Sequence, residues 1–462
     1  MDSLGADKNI PIATARNPQH SVTSSKLPTP VILYLLTVVI PIGIQVGPLA
    51  MTTLRLFLII LILPLMFKLL SGRYGRILLS DIFFSLYVFW TFVSLSANNP
   101  SQVVQSVGST GVEFLGGYLV GRAFIRTPEA FLALCKWLVL LTLITTPFAL
   151  LETMTGRPLI LEAIRKLPGI NTLSIVNIEK RLGLERVQAV FAHPIHYGLF
   201  CSVAFSMAFV ALRNQVRTSM RFLASAIIVG SGLLALSSGA MLAIVLQIGL
   251  ILWAAIFANI KARWWLLIGL FAFGYVLIDI FSNRSPIRVF MSYATFSAHN
   301  AYWRGIIFEW GMKNVWANPI YGIGFNDWVR PWFMHSGSMD NFWLVVAVRY
   351  GIPSFAFLSI GYIRSIYLIM RRNFEGNDTL TLIRLAWVFT FLGLSFTLST
   401  VHIWTNIYSF VFFVFGAGMW LVSVPSDLDT DPHSPDPETH EPKNASPYTR
   451  FAHNTPRQSQ RA

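Results

Sequence analysis

Residues 240–258 read Ala240-Met-Leu-Ala-Ile-Val-Leu-Gln-Ile-Gly-Leu-Ile-Leu-Trp-Ala-Ala-Ile-Phe-Ala258, with no charged side chain and a single amide, that of Gln247. At a helical rise of about 1.5 Å per residue such a run covers close to the ~30 Å of a bilayer's hydrocarbon core. Comparable runs recur at 31–46, 53–67, 77–96, 111–125, 131–151, 196–212, 222–236, 264–281, 342–370, 384–400 and 403–421. That makes about twelve spans and predicts an all-α, polytopic integral membrane protein. Gly351-Ile-Pro353 interrupts the longest run, and a break or kink is expected there.

Composition agrees with this reading. Of 462 residues, 54% are hydrophobic and 12% charged, too apolar for an ordinary soluble protein. The body, 30–421, reads as one transmembrane domain. The tails 1–29 and 422–462 are polar and rich in Pro, Ser, Asp and Thr, so both are expected to be disordered. The first run follows about thirty polar residues, lacks a small-residue cleavage site and reads as an anchor rather than a signal peptide.

Orientation follows from Lys and Arg in the short connections. Lys68-Arg73-Arg76, Arg122-Arg126, Arg213-Arg217-Arg221, Lys261-Arg263 and Arg371-Arg372-Arg384 alternate with the uncharged connections at 47–52, 237–239 and 401–402 and with 97–110, which has no Lys or Arg. Both termini are therefore expected in the cytoplasm, and the long connections 152–195 and 282–341 on the outer side. Each long connection holds a segment of helical periodicity suited to the interface, at 159–167 and 302–317. The net charge of +14 does not point to nucleic acid, because cytoplasmic Lys and Arg account for much of it and no nucleic-acid motif accompanies it. Cys135 and Cys201 sit in apolar runs and read as small hydrophobes. No ligand cluster of metal-binding spacing is evident.

The chemistry-bearing residues gather in the outer connections. Arg186-Val-Gln-Ala-Val-Phe-Ala-His193-Pro194 leads into the run that follows it. Its bland reading is a helix-start turn at His193-Pro194. Ser237-Ser238-Gly239 forms a tight hairpin whose small residues suit close helix contact. Arg304 precedes Asn318-Pro-Ile-Tyr-Gly-Ile-Gly-Phe-Asn326-Asp327-Trp328, and Asp340-Asn341 stands just before the next apolar run. Asp340 could serve as a helix N-cap as well as a base. Glu185 reads as an ion-pair partner for a nearby arginine.

Taken in order, Gly-Tyr-Leu-Val-Gly-Arg122, Arg186…Phe-Ala-His193-Pro194…Gly198, Leu-Ser-Ser-Gly-Ala240, Arg304…Asn-Pro-x-x-Gly-x-Gly-Phe325 and Asp-Asn341-x-x-Leu344…Gly351 resemble the O-antigen ligase and polymerase superfamily over roughly 110–420. The resemblance implies a bacterial inner-membrane glycosyltransferase with no cofactor and no required metal. It would act at the periplasmic face on an undecaprenyl-pyrophosphate-linked glycan donor. The acceptor would be a second lipid-linked glycan in a polymerase, or the lipid A core in a ligase, with polysaccharide export or chain-length machinery as further partners. The chain has Asp340-Asn341 where ligases commonly have His-Asn, Ile195 where an Asn usually follows His-Pro, and Ser238 where an Arg is frequent. The first difference leans toward a polymerase.

In such a transfer fixed cations stabilise the departing pyrophosphate. The candidates are Arg186 and Arg304, onto which the family's loop arginines map, and then Arg288 and Arg181. Asp340 is the first candidate for the base that takes the acceptor hydroxyl's proton, and His335 the second. His193, Asn326, Asp327 and Asn341 complete the substrate loops. Direct attack on an intact donor would invert the anomeric centre. The competing reading from another class is a transporter or flippase for lipid-linked glycan, disfavoured because the polar residues lie in outer connections rather than on paired broken helices.

Overall fold

Each of the twelve apolar runs contains helix in the computed structural model, which describes residues 26–46, 49–283, 286, 289, 298–374 and 376–425. The helices are α1 (Thr29–Val39), α2 (Thr53–Leu70), α3 (Leu79–Asn98), α4 (Val103–Ser106), α5 (Gly117–Phe124), α6 (Pro128–Thr155), α7 (Leu159–Arg165), α8 (Pro194–Ser206), α9 (Thr218–Leu234), α10 (Ser238–Ile256), α11 (Arg263–Phe281), α12 (Ala298–Ala317), α13 (Phe342–Arg371), α14 (Asp378–Thr397) and α15 (Thr405–Ala417). A π-helical stretch, Val107–Gly116, joins α4 to α5, and a second, Met207–Ala211, extends α8. Nearly all of both expected tails lies outside the described residues.

Among the described residues nine helices, not twelve, are long and apolar enough to cross a membrane. The differences have local causes. α1 has 11 residues because Pro41 follows, and the residue before a proline is pushed out of the helical region. The rest of that run, Ile42–Val46, is a strand, β1, paired antiparallel with β2 (Leu49–Thr52) and with β3 (Asn171–Thr172). α9 stops at 17 residues, and the π turns interrupt 103–124. The interfacial segments appear as α7 and α12, and the break at Gly351 is present, with φ +81° inside α13.

The apolar surface suits a multi-pass membrane protein. Ile60, Leu63 and Phe67 on α2 are 71–75% exposed, and no residue of α11 is buried. Apolar surface of that extent is unfavourable in water and natural against hydrocarbon. At the centre lies α15, buried along its length, packed on α5 so closely that a Cβ at Gly121 would stand 2.1 Å from the Phe413 carbonyl oxygen. Phe84, Phe114, Tyr118, Phe412 and Phe415 fill the adjoining space edge to face or tilted.

The connections meet within their own alternating sets. On the basic side, Arg122 donates to the Tyr74 and Arg76 carbonyls and Arg126 to that of Arg73. On the other side, β1 pairs β3, Asn99 Oδ1 accepts from Phe325 N–H, and Phe342 N–H reaches the Leu398 and Val401 carbonyls.

Candidate active site

Three segments from the second set of connections converge on one cavity, and each has a local reason for its shape. The first is 181–193. Glu152, buried near the end of α6, accepts hydrogen bonds from Gln188 N–H at 2.7 Å and Ala189 N–H at 3.0 Å. The Gln188 amide in turn donates to the Ser174 and Phe191 carbonyls and accepts from Val176 N–H. This clamp fixes the turn between Arg186 and His193. His193 ends the turn as the N-cap of α8, its Nδ1 accepting from Ile195 N–H at 3.2 Å.

The second segment is the hairpin 235–238. Arg181 Nη1 donates to the Leu236 carbonyl at 2.8 Å and Arg186 Nε to that of Ala235 at 3.4 Å. Ser237 caps α10. The third is the stretch from α12 to α13. Arg304 lies in α12. Asn341 Oδ1, not Asp340, caps α13 by accepting from Leu344 N–H at 3.0 Å. The cap expected for Asp340 falls one residue later, and Asp340 is left exposed, accepting from the Ser338 hydroxyl at 3.0 Å.

Together with Thr400 and Val401 they line a half-open cavity of about 470 Å³, with Arg181, Arg186, His193, Ser237, Ser238, Arg304, His335 and Asp340 in the wall and Trp303 and Phe333 beside them. Among the described residues no carboxylate lies at ion-pair distance from Arg181, Arg186 or Arg304. One nitrogen of Arg304, Nη1, is buried without a hydrogen-bond partner. Burial lowers the pKa of all three. Arg186 comes down to about 10, with Arg181 adding to the effect. For Arg304 the nearby Asp340 works against the burial, and for Arg181 Glu179 does. All three remain cations near neutral pH. Burial and then Arg186 and Arg181 lower His193 to about 4, so its ring is neutral.

Beside this polar cavity runs an apolar groove of about 830 Å³ between α11, α12, α13 and the end of α14. Thr400 lines both spaces, so the cationic cavity and the apolar groove adjoin.

Six of the residues singled out from the sequence therefore share the cavity: Arg181, Arg186, His193, Arg304, His335 and Asp340. Asn341 does not line it; it caps α13 and lines the groove. Asn326 and Asp327 do not line it either, and Asp327 pairs with Arg330. Their motif makes a backbone contact. The turn 318–325 docks on the break in α13, where Ile323 and Gly324 N–H donate to the Val348 and Arg349 carbonyls and Ile352 N–H to that of Pro319. A Cβ at Gly351 would come within 2.0 Å of the Ile320 carbonyl oxygen, so glycine is required for this contact as well as for its positive φ. Arg288 lies outside the described residues. Glu185 pairs with Lys180 at 3.0 Å rather than with an arginine.

Sequence reasoning did not single out Glu152. A lone carboxylate at the end of an apolar run carries little signal, because the backbone amides it binds are 36 and 37 residues away. Among the described residues, no group of three or more His, Cys, Asp or Glu side chains is arranged to hold a metal ion. No family model matches the chain, and no curated protein is detectably similar to it.

The arrangement suits a polyanion. Guanidinium groups converge on a partly desolvated space, with no carboxylate at ion-pair distance from them among the described residues, a setting that favours charge-assisted hydrogen bonds to phosphate oxygens. A carboxylate, Asp340, and an imidazole, His335, line the same wall; both are residue types able to exchange protons.

Proposed function

We propose that this chain is an inner-membrane glycosyltransferase of the O-antigen ligase and polymerase kind. It would transfer or polymerise undecaprenyl-pyrophosphate-linked glycan units at the periplasmic face. The observation that carries this reading is the cavity: three arginines with no carboxylate at ion-pair distance among the described residues, in one wall with Asp340 and His335 and adjoining an apolar groove. A donor with a diphosphate between a polyprenyl chain and a glycan presents the same sequence of chemistries, apolar, anionic and polar.

In this reading Arg186 and Arg304 hold the diphosphate, with Arg181 behind them, and offset the charge that builds on it as the glycosidic bond breaks. Asp340 takes the proton of the attacking hydroxyl. It is free for that role because Asn341 makes the helix cap. His335 stands in the same wall. Asp340 at this position favours the polymerase over the ligase reading, as the ligase pattern places a histidine there.

The test is a strain lacking the protein, with its membrane glycans resolved by gel and mass spectrometry. Single repeat units retained on undecaprenyl pyrophosphate are the expected result. Long chains on that lipid with an unmodified lipid A core would make the protein a ligase. Donor trapped at the cytoplasmic face would make it a flippase, and an unchanged profile would remove the proposal.

A further inference from the structure

His193 has a ring whose two nitrogens are already distinguished by the fold. Nδ1 accepts the Ile195 N–H at 3.2 Å at the start of α8. A nitrogen that accepts carries no proton, so in the neutral ring the hydrogen is on Nε2. Nε2 has no protein partner among the described residues, while the ring lines the cationic cavity.

We infer that His193 is a fixed Nε2–H donor to an anionic oxygen of the ligand, a diphosphate oxygen in the proposed reading, and not a base. The surrounding groups hold it there. Arg181 and Arg186 on its own connection disfavour a second proton, as does the burial of the ring. Arg304, His335 and Asp340 share the cavity wall, His196 follows one turn along α8 with its ring 6.1 Å away, and Trp404 lies 5.8 Å from the His193 ring. The His402 ring lies 5.7 Å from that of Trp404. Protonating His193 would break the cap and add a cation beside two others. The neutral donor does neither, so the ring adds a directional hydrogen bond where the arginines supply charge.

This inference rests on the proposed diphosphate reading, and the variant that tests it is His193→Asn. Asparagine is a good N-cap, so it retains the bond to the helix start and removes the Nε2–H. The measurement is calorimetric binding of inorganic pyrophosphate, and separately of farnesyl pyrophosphate, to the full chain in lipid nanodiscs near pH 7.5, with the melting temperature of each variant taken alongside. The expected result is an unchanged melting temperature and at least a tenfold loss of affinity for both probes, which locates the lost contact on the diphosphate. In the unsubstituted protein labelled with ¹⁵N-histidine, the Nε2 signal should be that of a protonated nitrogen and should shift on adding pyrophosphate. Equal binding by His193→Asn and the unsubstituted protein would reduce His193 to a cap and overturn the inference while leaving the diphosphate site standing. Failure of the unsubstituted protein to bind either probe would remove the diphosphate site and the inference together.

Discussion

Arg122 and Arg304 lie in the two alternating sets of connections, both largely withdrawn from solvent, and the fold treats them differently. Arg122 gives Nη1 and Nη2 to the Tyr74 and Arg76 carbonyls; its Nε makes no hydrogen bond but stands at ion-pair distance, 3.6 Å, from Asp81, whose carboxylate accepts from Leu78 N–H and the Tyr118 hydroxyl. Arg304 has Nη1 buried and unpartnered, and its nearest charge complement, Asp340, falls outside ion-pair distance. A guanidinium supplied with carbonyls and a carboxylate is a staple between α3 and α5. One left short of acceptors, with Arg181 and Arg186 in the same wall, is in the proposed reading the receptor for the donor's diphosphate.

The sharpest way to break this comparison is to remove the groups on the receptor side and read chemistry. Asp340→Asn should lower product formation by about 10²–10⁴-fold, the range typical for a general base. His335→Asn should cost less. The assay is polymer formation from a lipid-linked repeat unit by the purified chain in liposomes. Near-normal turnover by Asp340→Asn with loss in His335→Asn would exchange the two assignments.

The next contrast crosses the arginines. Arg304→Gln should reduce turnover by about 10²–10³-fold, as expected for losing one charge-stabilising donor, without lowering the melting temperature. Arg122→Leu strands the buried Asp81 carboxylate and should cost about 3–5 kcal/mol of stability. Its effect appears in thermal unfolding and in the yield of folded protein. If Arg304→Gln also unfolds the protein, the cavity is a structural joint and the comparison fails.

Much of this division was visible in the sequence because charge is conspicuous at the ends of apolar runs. Arg186, Arg304, His335 and Asp340 stood out in connections that alternation placed together, and the cavity joins them. The π turns at 107–116 and the strand at Ile42–Val46 were hidden: a π turn leaves no period distinct from that of an α-helix over so few residues, and the alternation of Ile42-Gly-Ile-Gln-Val46 is five residues long at the end of a longer apolar run. Asn318–Trp328 carries a signal with two readings. Its glycines and amide residues look like a ligand loop, yet its backbone supplies hydrogen bonds to the break in α13. Glycine marks close backbone approach whether the neighbour is a ligand or another stretch of chain. Glu152 was illegible because its partners are backbone amides, which carry no side-chain identity to read.

The smallest effect expected is on acid stability, and it separates His193 from the arginines around it. In the folded protein burial and the neighbouring cations hold His193 at about 4, below the ordinary 6.5, and burial followed by Arg349 takes His402 to about 3. As pH falls below about 6.5 the unfolded chain takes up protons that the folded chain refuses, so the unfolded state gains. Stability from these two rings is fully present above the unfolded value and is lost as pH falls through the folded values. Melting temperature followed from about pH 8 to about pH 4 should therefore decline through the histidine range, before most carboxylates titrate. His193→Asn should flatten part of that decline, while Arg304→Gln, which leaves both rings in place, should keep most of it. A slope unchanged by His193→Asn would mean that the ring titrates alike in both states, and the neutral, capped imidazole would then be the part of the receptor to discard.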